Sequence, residues 1–452
     1  MTSQRWVPSQ PPRVPDWQST WRGLTGKKLR NSVYNVPEPA FDEFYHRRTV
    51  LGRTYHLVHD PELIGEVLLH QHEAFRRPGI ARKALSGLLG ESLLLADGEE
   101  WRGQRKIVAP RFNPRSIDAM AAVMMEEAEH QIERLRGDGS EMDVMALATR
   151  TTTAVIARTL FASDKRLLTP VAFDHVQRLV AQAGQPRLLT LLGMSGLDLS
   201  PSARRARISA QFLRETIAAM ADDRIGEGGA DDFFGELLAA FLADRAPERA
   251  RKLAIDNAIT FYIAGHETVS TLLAWSAYCL AGQPELQEEL RTEALAALGN
   301  PAEALARAVP QLQAFVDEVL RLYPPGVLIA REAASDVTVG NIAMSAGDIV
   351  TIYPWVVHRH RKLWDEPDAF VADRMAQHNK AKLPRFQFLP FGAGPRVCVG
   401  ARFAIAEALT VLSVWLAHIR FRAPPGFAPM PSGTIALRPE GGMPLFVERL
   451  TA

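Results

Sequence analysis

The chain has 452 residues, of which 47% are hydrophobic and 23% charged, with a formal net charge of +1. That balance fits a globular protein with a substantial core and gives no global drive toward nucleic acid or acidic partners. Only Cys279 and Cys398 occur, which argues against a disulfide framework and fits a reducing, cytoplasmic compartment.

The first 40 residues are punctuated by Pro8, Pro11, Pro12, Pro15, Pro37 and Pro39. They read as an extended lead-in packed on the body, and residues 41–452 as one domain. Nothing near the N-terminus has the apolar region of a secretory signal. The most apolar internal stretch, around 255–280, is broken by Asn257, His266, Glu267 and Ser276, so no segment reads as a membrane span.

In chain order, a strand-like run at 54–58 meets Asp60-Pro61, a helix start. Apolar residues at spacings of three and four predict helices over 116–135, 142–160, 201–221 and 232–244. A long helix is predicted over 254–281, ended by Gly282 and Pro284, and about 40 Å long at roughly 1.5 Å per residue. Another runs over 311–323 and is stopped by Pro324-Pro325. Then the pattern shortens: 336–339, Gly340-Asn341 and 349–352 read as hairpin material. A final helix is predicted over 401–418. The fold is mainly α with a minor β portion.

The segment at 391–400 reads Phe-Gly-Ala-Gly-Pro-Arg-Val-Cys-Val-Gly. A cysteine in a glycine-rich loop before a helix has a physical use. Helix N-termini favour anions, and N–H groups there stabilise a thiolate. Gly394 and Gly400 would let backbone approach something flat, and Arg396 would meet a carboxylate nearby. A thiolate with an open side suits an iron porphyrin. The plain alternative is a buried cysteine beside a turn, and spacing alone leaves the two readings close.

The segment resembles the haem-binding signature of the cytochrome P-450 family, Phe-x-x-Gly-x-Arg-x-Cys-x-Gly, at Phe391, Gly394, Arg396, Cys398 and Gly400. The resemblance extends from about Asp60 onward. It implies the family's fold, with haem b (iron protoporphyrin IX) between the long helix and the helix after the cysteine, and Cys398 as the iron's axial ligand. Cys279, among apolar neighbours, reads as a core residue.

Within the long helix, Ala264-Gly265-His266-Glu267-Thr268 places a glycine, an acid and a hydroxyl where good helix design would not. It matches the family's Ala/Gly-Gly-x-Asp/Glu-Thr. The resemblance implies that Ala264 and Gly265 leave room over the iron, that the Thr268 hydroxyl positions a water or the reacting oxygen, and that Glu267 relays protons. Many members carry a second Thr or Ser where this chain has Val269. His266 reads as structural or peripheral rather than as an iron ligand.

Glu318 and Arg321, three apart on one helix, match the family's Glu-x-x-Arg, a buried ion pair bracing the haem core. Its usual third member lies in a Pro-Glu-Arg-Phe stretch, of which Phe370-Val371-Ala372-Asp373-Arg374-Met375 retains Arg374 alone. His358 reads as another structural partner nearby. Two haem propionates need cationic or N–H donors. Trp101 and Arg105 resemble the family's Trp-x-x-x-Arg, and Arg331 and Arg396 join them; Arg102 reads as a solvated charge.

The resemblance implies a monooxygenase that uses O2, with NAD(P)H acting indirectly through a separate ferredoxin-type donor and its reductase. Arg102, Lys106, Arg111 and Arg402 lie in segments the family places nearest the cysteine. The implied pocket is aliphatic, drawing on Ala264, Val327, Leu328 and Ile329, on Ile80, Leu85, Leu88 and Leu89, and on a lid at 188–192. An apolar organic substrate is expected, with Arg77 and Arg82 at the mouth. The protein is expected to be a monomer without nucleic-acid partners. The competing readings are a peroxygenase using hydrogen peroxide and a non-catalytic haem sensor or carrier; the intact Glu267-Thr268 pair speaks against the first.

Overall fold

Asp60 caps its helix as its sequence predicts. The carboxylate accepts from the N–H groups of Glu62 and Leu63, and Pro61 occupies the first helical position of Pro61–Gly65. The same logic, an extended cap residue and then an apolar face, recurs through a computed structural model. It describes the chain except residues 1–4, 18–30, 51, 136–137, 163, 184–197, 199, 228–231, 300–304, 434–435 and 451–452. The described residues are mainly helical with small sheets, and they form two compact units.

The first unit comprises residues 1–75, 124–151 and 268–452. Its core gathers the helix Ala401–His418, the helix Pro310–Leu322 and the C-terminal part of the long helix, with Trp275 stacked on Tyr323 at 3.9 Å. The principal sheet has the order Tyr45–Val50, Arg53–Val58, Ile349–Ile352, Ile329–Ala333, with the short strand that begins at Phe75 on its far edge. Ile349–Ile352 is therefore not a hairpin arm. It runs parallel to Arg53–Val58 and antiparallel to Ile329–Ala333, and all four of its residues are buried. The hairpin around Gly340 joins Val337–Val339 to Ile342–Met344, with Gly340 at φ +58°. Met142 also differs from the helical expectation. It belongs to Asp138–Asp143, paired with Pro444–Arg449, and the helix begins at Val144.

The lead-in is pinned to this unit. Trp6 accepts from the Phe370 N–H at 3.0 Å, the Tyr323 hydroxyl donates to the Ser9 carbonyl at 2.7 Å, and Arg13 pairs with Asp368 at 2.5 Å. Among the described residues one helix, Ala401–His418, is long and apolar enough to cross a membrane; 67% of it is buried within the protein, as in a core helix.

The second unit comprises residues 76–123 and 152–267. Its helices include Gly79–Leu89, Gly98–Val108, Pro201–Gly226 and Phe233–Asp244, the last capped by Asp232 accepting from the Gly235 N–H at 2.6 Å. The long helix is Pro247–Ala281, starting well before residue 254. Pro247 and Glu248 suit a first turn, though the charged residues after them conceal the apolar period. The expected lid at 188–192 lies outside the described residues.

Candidate active site

The cysteine loop is held by its backbone. The Cys398 N–H donates to the Phe391 carbonyl and the Val397 N–H to the Gly394 carbonyl, each at 3.0 Å, across a short turn at Gly394–Arg396. Gly394 has φ +70°, and a Cβ there would stand 1.8 Å from the Leu68 carbonyl oxygen, so only glycine lets the two backbones approach. Phe391 packs on the core of the unit, while Cys398 is exposed just before Ala401–His418. Cys279 is fully buried, and burial raises its thiol well above the usual range, so it stays protonated where a ligand must be a thiolate. Of the two cysteines, the geometry leaves only Cys398 able to meet a metal.

Behind this loop lies the ion cluster. Arg321 grips Glu318 with two bonds of 2.7 Å, both side chains fully buried, and donates to the carbonyls of His358, Pro367 and Ala369 at 2.8, 2.6 and 2.9 Å. Glu318 also accepts from the Val371 N–H at 2.9 Å, and Arg374 stands 3.5 Å from it. The third member is thus Arg374, despite the divergent sequence around it. His358 ties this cluster to the loop. Its Nδ1 lies 3.2 Å from the Arg321 carbonyl, which only accepts, so Nδ1 carries the proton and Nε2 accepts from the Leu389 N–H at 3.0 Å. Burial, reinforced by Arg321, pushes the ring down to about 3, so it is neutral at pH 7. Arg331 is also buried on its strand, with Nη1 on the Ala330 carbonyl at 2.9 Å.

In the second unit the long helix is buried all round over residues 253–262, where its sequence is largely apolar. It opens at Ala264, which is exposed, with Ile263 and Gly265 partly so; Thr268, where the helix passes into the first unit, is also partly exposed. Ala264 and Thr268 are four apart and share a face, whereas Glu267 is buried. Gly265 has a packing reason as well: a Cβ would lie 2.6 Å from Ile156 Cδ1. His266 is buried, its Nδ1 donating to the Tyr262 carbonyl at 2.8 Å. That is the structural role expected of it. Trp101 is buried and Arg105 partly buried on Gly98–Val108, one turn apart on one face. Arg102 is exposed and pairs with Glu99.

Three features escape a reading of the sequence. Asp256 and Asn257, apparent flaws in an apolar run, tie down the 90–93 loop. Asp256 accepts from the Glu91 N–H at 2.9 Å and from Arg214 at 2.7 Å; Asn257 accepts from the Leu93 N–H at 2.9 Å and donates to Gln104 at 2.9 Å. Glu407 is fully buried on the helix after the cysteine with neither oxygen hydrogen-bonded, and burial raises its carboxyl well above the usual range. Arg359 is buried against Trp355, 3.6 Å from the ring, and burial pushes it down to about 9. No local pattern marks the last two, because their burial comes from distant chain.

The residues fit an iron porphyrin. In the first unit an exposed sulfur stands on a loop too tight for a Cβ at Gly394, and the guanidinium groups of Arg331 and Arg396 suit carboxylates. In the second unit Arg105 is a further guanidinium, and the long helix exposes Ala264. Such a fold and loop define a haem-thiolate protein. The family model described as Cytochrome P450 matches residues 21–446, and the chain belongs to that family. It is 28% identical to a cytokinin hydroxylase of Arabidopsis thaliana, over 97% of this chain and 84% of that protein. It is also 28% identical to cyclooctat-9-en-7-ol 5-monooxygenase of Streptomyces melanosporofaciens, over 86% of this chain and 84% of that one. Among solved structures, the retinoic acid-bound cyanobacterial CYP120A1 superposes with a TM-score of 0.80 at 21% identity, covering 99% of this chain and 100% of the other. A zebra fish cytochrome P450 with progesterone gives 0.76 at 22% identity, covering 90% and 96%. The chain is a cytochrome P450 monooxygenase with haem as its cofactor.

Proposed function

We propose that the protein inserts one atom of O2 into an apolar organic substrate, with Cys398 holding haem b and electrons drawn from NAD(P)H through a separate ferredoxin-type partner and its reductase. The observation that carries this reading is the exposed Cys398 on a backbone-closed loop, backed by the buried Glu318–Arg321 pair with Arg374 beside it. Bound haem iron supplies the activation of oxygen. By the family resemblance Arg105, Arg331 and Arg396 would hold its propionates and Trp101 would support them, while Phe391 and Gly400 frame the loop. Ala264 leaves space beside Thr268. Glu267, buried on the same helix, would supply a proton, and the Thr268 hydroxyl would position it.

The substrate reading rests on exposed aliphatic groups. Leu328 is 43% exposed in the first unit and Ile80 39% in the second, so each offers apolar surface that an apolar ligand would cover. Val327 and Leu89 are buried and contribute to the cores instead. Arg82 already pairs with Asp97 at 3.5 Å, which leaves it a surface role. Relatives named as acting on cyclooctat-9-en-7-ol and on 11-oxo-beta-amyrin agree with an apolar class. A monomer in a cytoplasmic setting completes the proposal, resting on the two reduced cysteines. The test is a panel of ligands followed by the haem spectrum. Fatty acids, terpenoids and steroids should shift the iron toward high spin and be oxidised in the presence of NAD(P)H and a redox chain. A shift confined to highly polar molecules overturns the substrate class, and turnover with hydrogen peroxide alone favours the peroxygenase.

A further inference from the structure

The helix Gly98–Val108 carries one polar residue on its buried face. Trp101, Gln104 and Val108 are buried at spacings of three and four, which puts them on one stripe, and Gln104 is 0% exposed. An amide in that place costs stability unless its polar atoms find partners. Gln104 finds them all within the second unit. Its Nε2 donates to the Glu91 carbonyl at 2.8 Å and to Glu100 Oε1 at 2.9 Å, and its Oε1 accepts from Asn257 Nδ2 at 2.9 Å. Asn257, equally buried on the long helix, also donates to the Leu253 carbonyl at 2.9 Å and accepts from the Leu93 N–H at 2.9 Å. Each amide has only one workable orientation, because the Glu91 carbonyl only accepts and the Leu93 N–H only donates.

A second tie lies further back on the long helix. Arg249 stands 3.5 Å from Glu100, the same carboxylate that accepts from Gln104. Positions 249 and 257 of the long helix therefore hold positions 100 and 104 of Gly98–Val108, one turn apart. Two attachments on successive turns stop the shorter helix from rolling about its axis. That roll matters because Arg105 follows Gln104 directly, about 100° further round the helix. A stripe of leucines would bury as well but leave the roll to packing alone, whereas a fully bonded amide pair specifies one arrangement.

We infer that Gln104 and Asn257 are positioning residues for the haem: their amide pair fixes the roll of Gly98–Val108 and thereby the direction of the Arg105 guanidinium. The inference rests on the proposed role of Arg105 toward a propionate, where a charge-assisted bond demands defined geometry.

The test uses the full haem-loaded chain and reads two quantities, the rate at which haem passes to excess apomyoglobin and the haem reduction potential. Gln104→Met keeps the length of the side chain and removes its three bonds. It should raise the transfer rate about fivefold or more and move the potential in the direction that Arg105→Leu moves it. In the Arg105→Leu chain, Gln104→Met should change the rate by less than about twofold and leave the potential in place, since no guanidinium remains to be aimed. If Gln104→Met takes up no haem, Asn257→Ala, which leaves room for a water, goes through the same cycle with the same expected result. Equal effects in the two backgrounds would overturn the inference and make the pair a structural tie only. Arg105→Leu without effect on either quantity would overturn the propionate role of Arg105, and the inference with it.

Discussion

Thr268 and Glu407 show how far one side chain's surroundings decide its role. Thr268 is partly exposed beside Ala264, so its hydroxyl has somewhere to act; Glu267 next to it is buried. Removing the hydroxyl should leave haem and substrate binding almost unchanged while electrons are diverted to peroxide. In Thr268→Ala, product formed per NAD(P)H should therefore fall severalfold with hydrogen peroxide rising to match, and unchanged coupling would remove the relay from the account. Glu407 is the converse, a buried acid with no partner. Its folded-state carboxyl is raised, so the folded chain keeps a proton that the unfolded chain releases above its ordinary pKa of about 4.5. That group costs stability progressively as pH rises, by about 1.4 kcal/mol per pH unit until the folded carboxyl itself ionises. Glu407→Gln should then be more stable than the parent, with the gap in urea midpoint wider at pH 8 than at pH 5. A gap that does not change with pH would mean that the carboxyl is ionised or solvated in the folded protein.

At the scale of elements, the helix Pro310–Leu322 and the segment that wraps it act as one brace. Arg321 makes five hydrogen bonds with Glu318 and with three carbonyls, whereas Arg374 lies 3.5 Å from Glu318 and donates to the Glu366 carbonyl at 3.3 Å. Removing Arg321 strands a buried carboxylate and costs about 3–5 kcal/mol. Arg321→Ala should yield little haem-loaded protein and Arg374→Ala substantially more, measured as haem absorbance per mole of chain. Equal losses would contradict a hierarchy within the cluster. The elements themselves were legible to different degrees. The helix Ala401–His418 has the bounds its apolar run predicts, because its burial on many sides leaves an unbroken pattern. The pairing of Ile349–Ile352 was not legible. Its parallel neighbour, Arg53–Val58, lies nearly 300 residues earlier in the chain, and no local signal encodes such a contact.

Across the whole molecule, charge decides what can be steered toward it. The net charge of +1 provides no general pull, so the proposed ferredoxin-type partner would be steered by local cations. Arg102 and Arg111 already face Glu99 and Glu236, leaving exposed Lys106 and Arg402 as the stronger attractors. The rate of reduction by an acidic ferredoxin should fall as salt rises from low ionic strength to about 0.15 M, where screening acts within about 8 Å, and Arg402→Glu should flatten that dependence. A rate indifferent to salt would point to an apolar docking face.

Much of the proposed haem site could be read from the sequence because its residues cluster in short motifs at 264–268, 318–321 and 391–400. Arg374 and the Asp256–Asn257 anchor were harder, since each acquires its meaning from residues far along the chain. Cys398, not Cys279, is the proposed ligand to the iron. The most direct measurement is the absorbance of the reduced haem protein under CO, for the parent chain and for the two single Cys→Ser variants. The parent and Cys279→Ser should both give the long-wavelength band of a thiolate ligand, and Cys398→Ser should lose it. Persistence of that band in Cys398→Ser, with its loss in Cys279→Ser, would contradict the assignment.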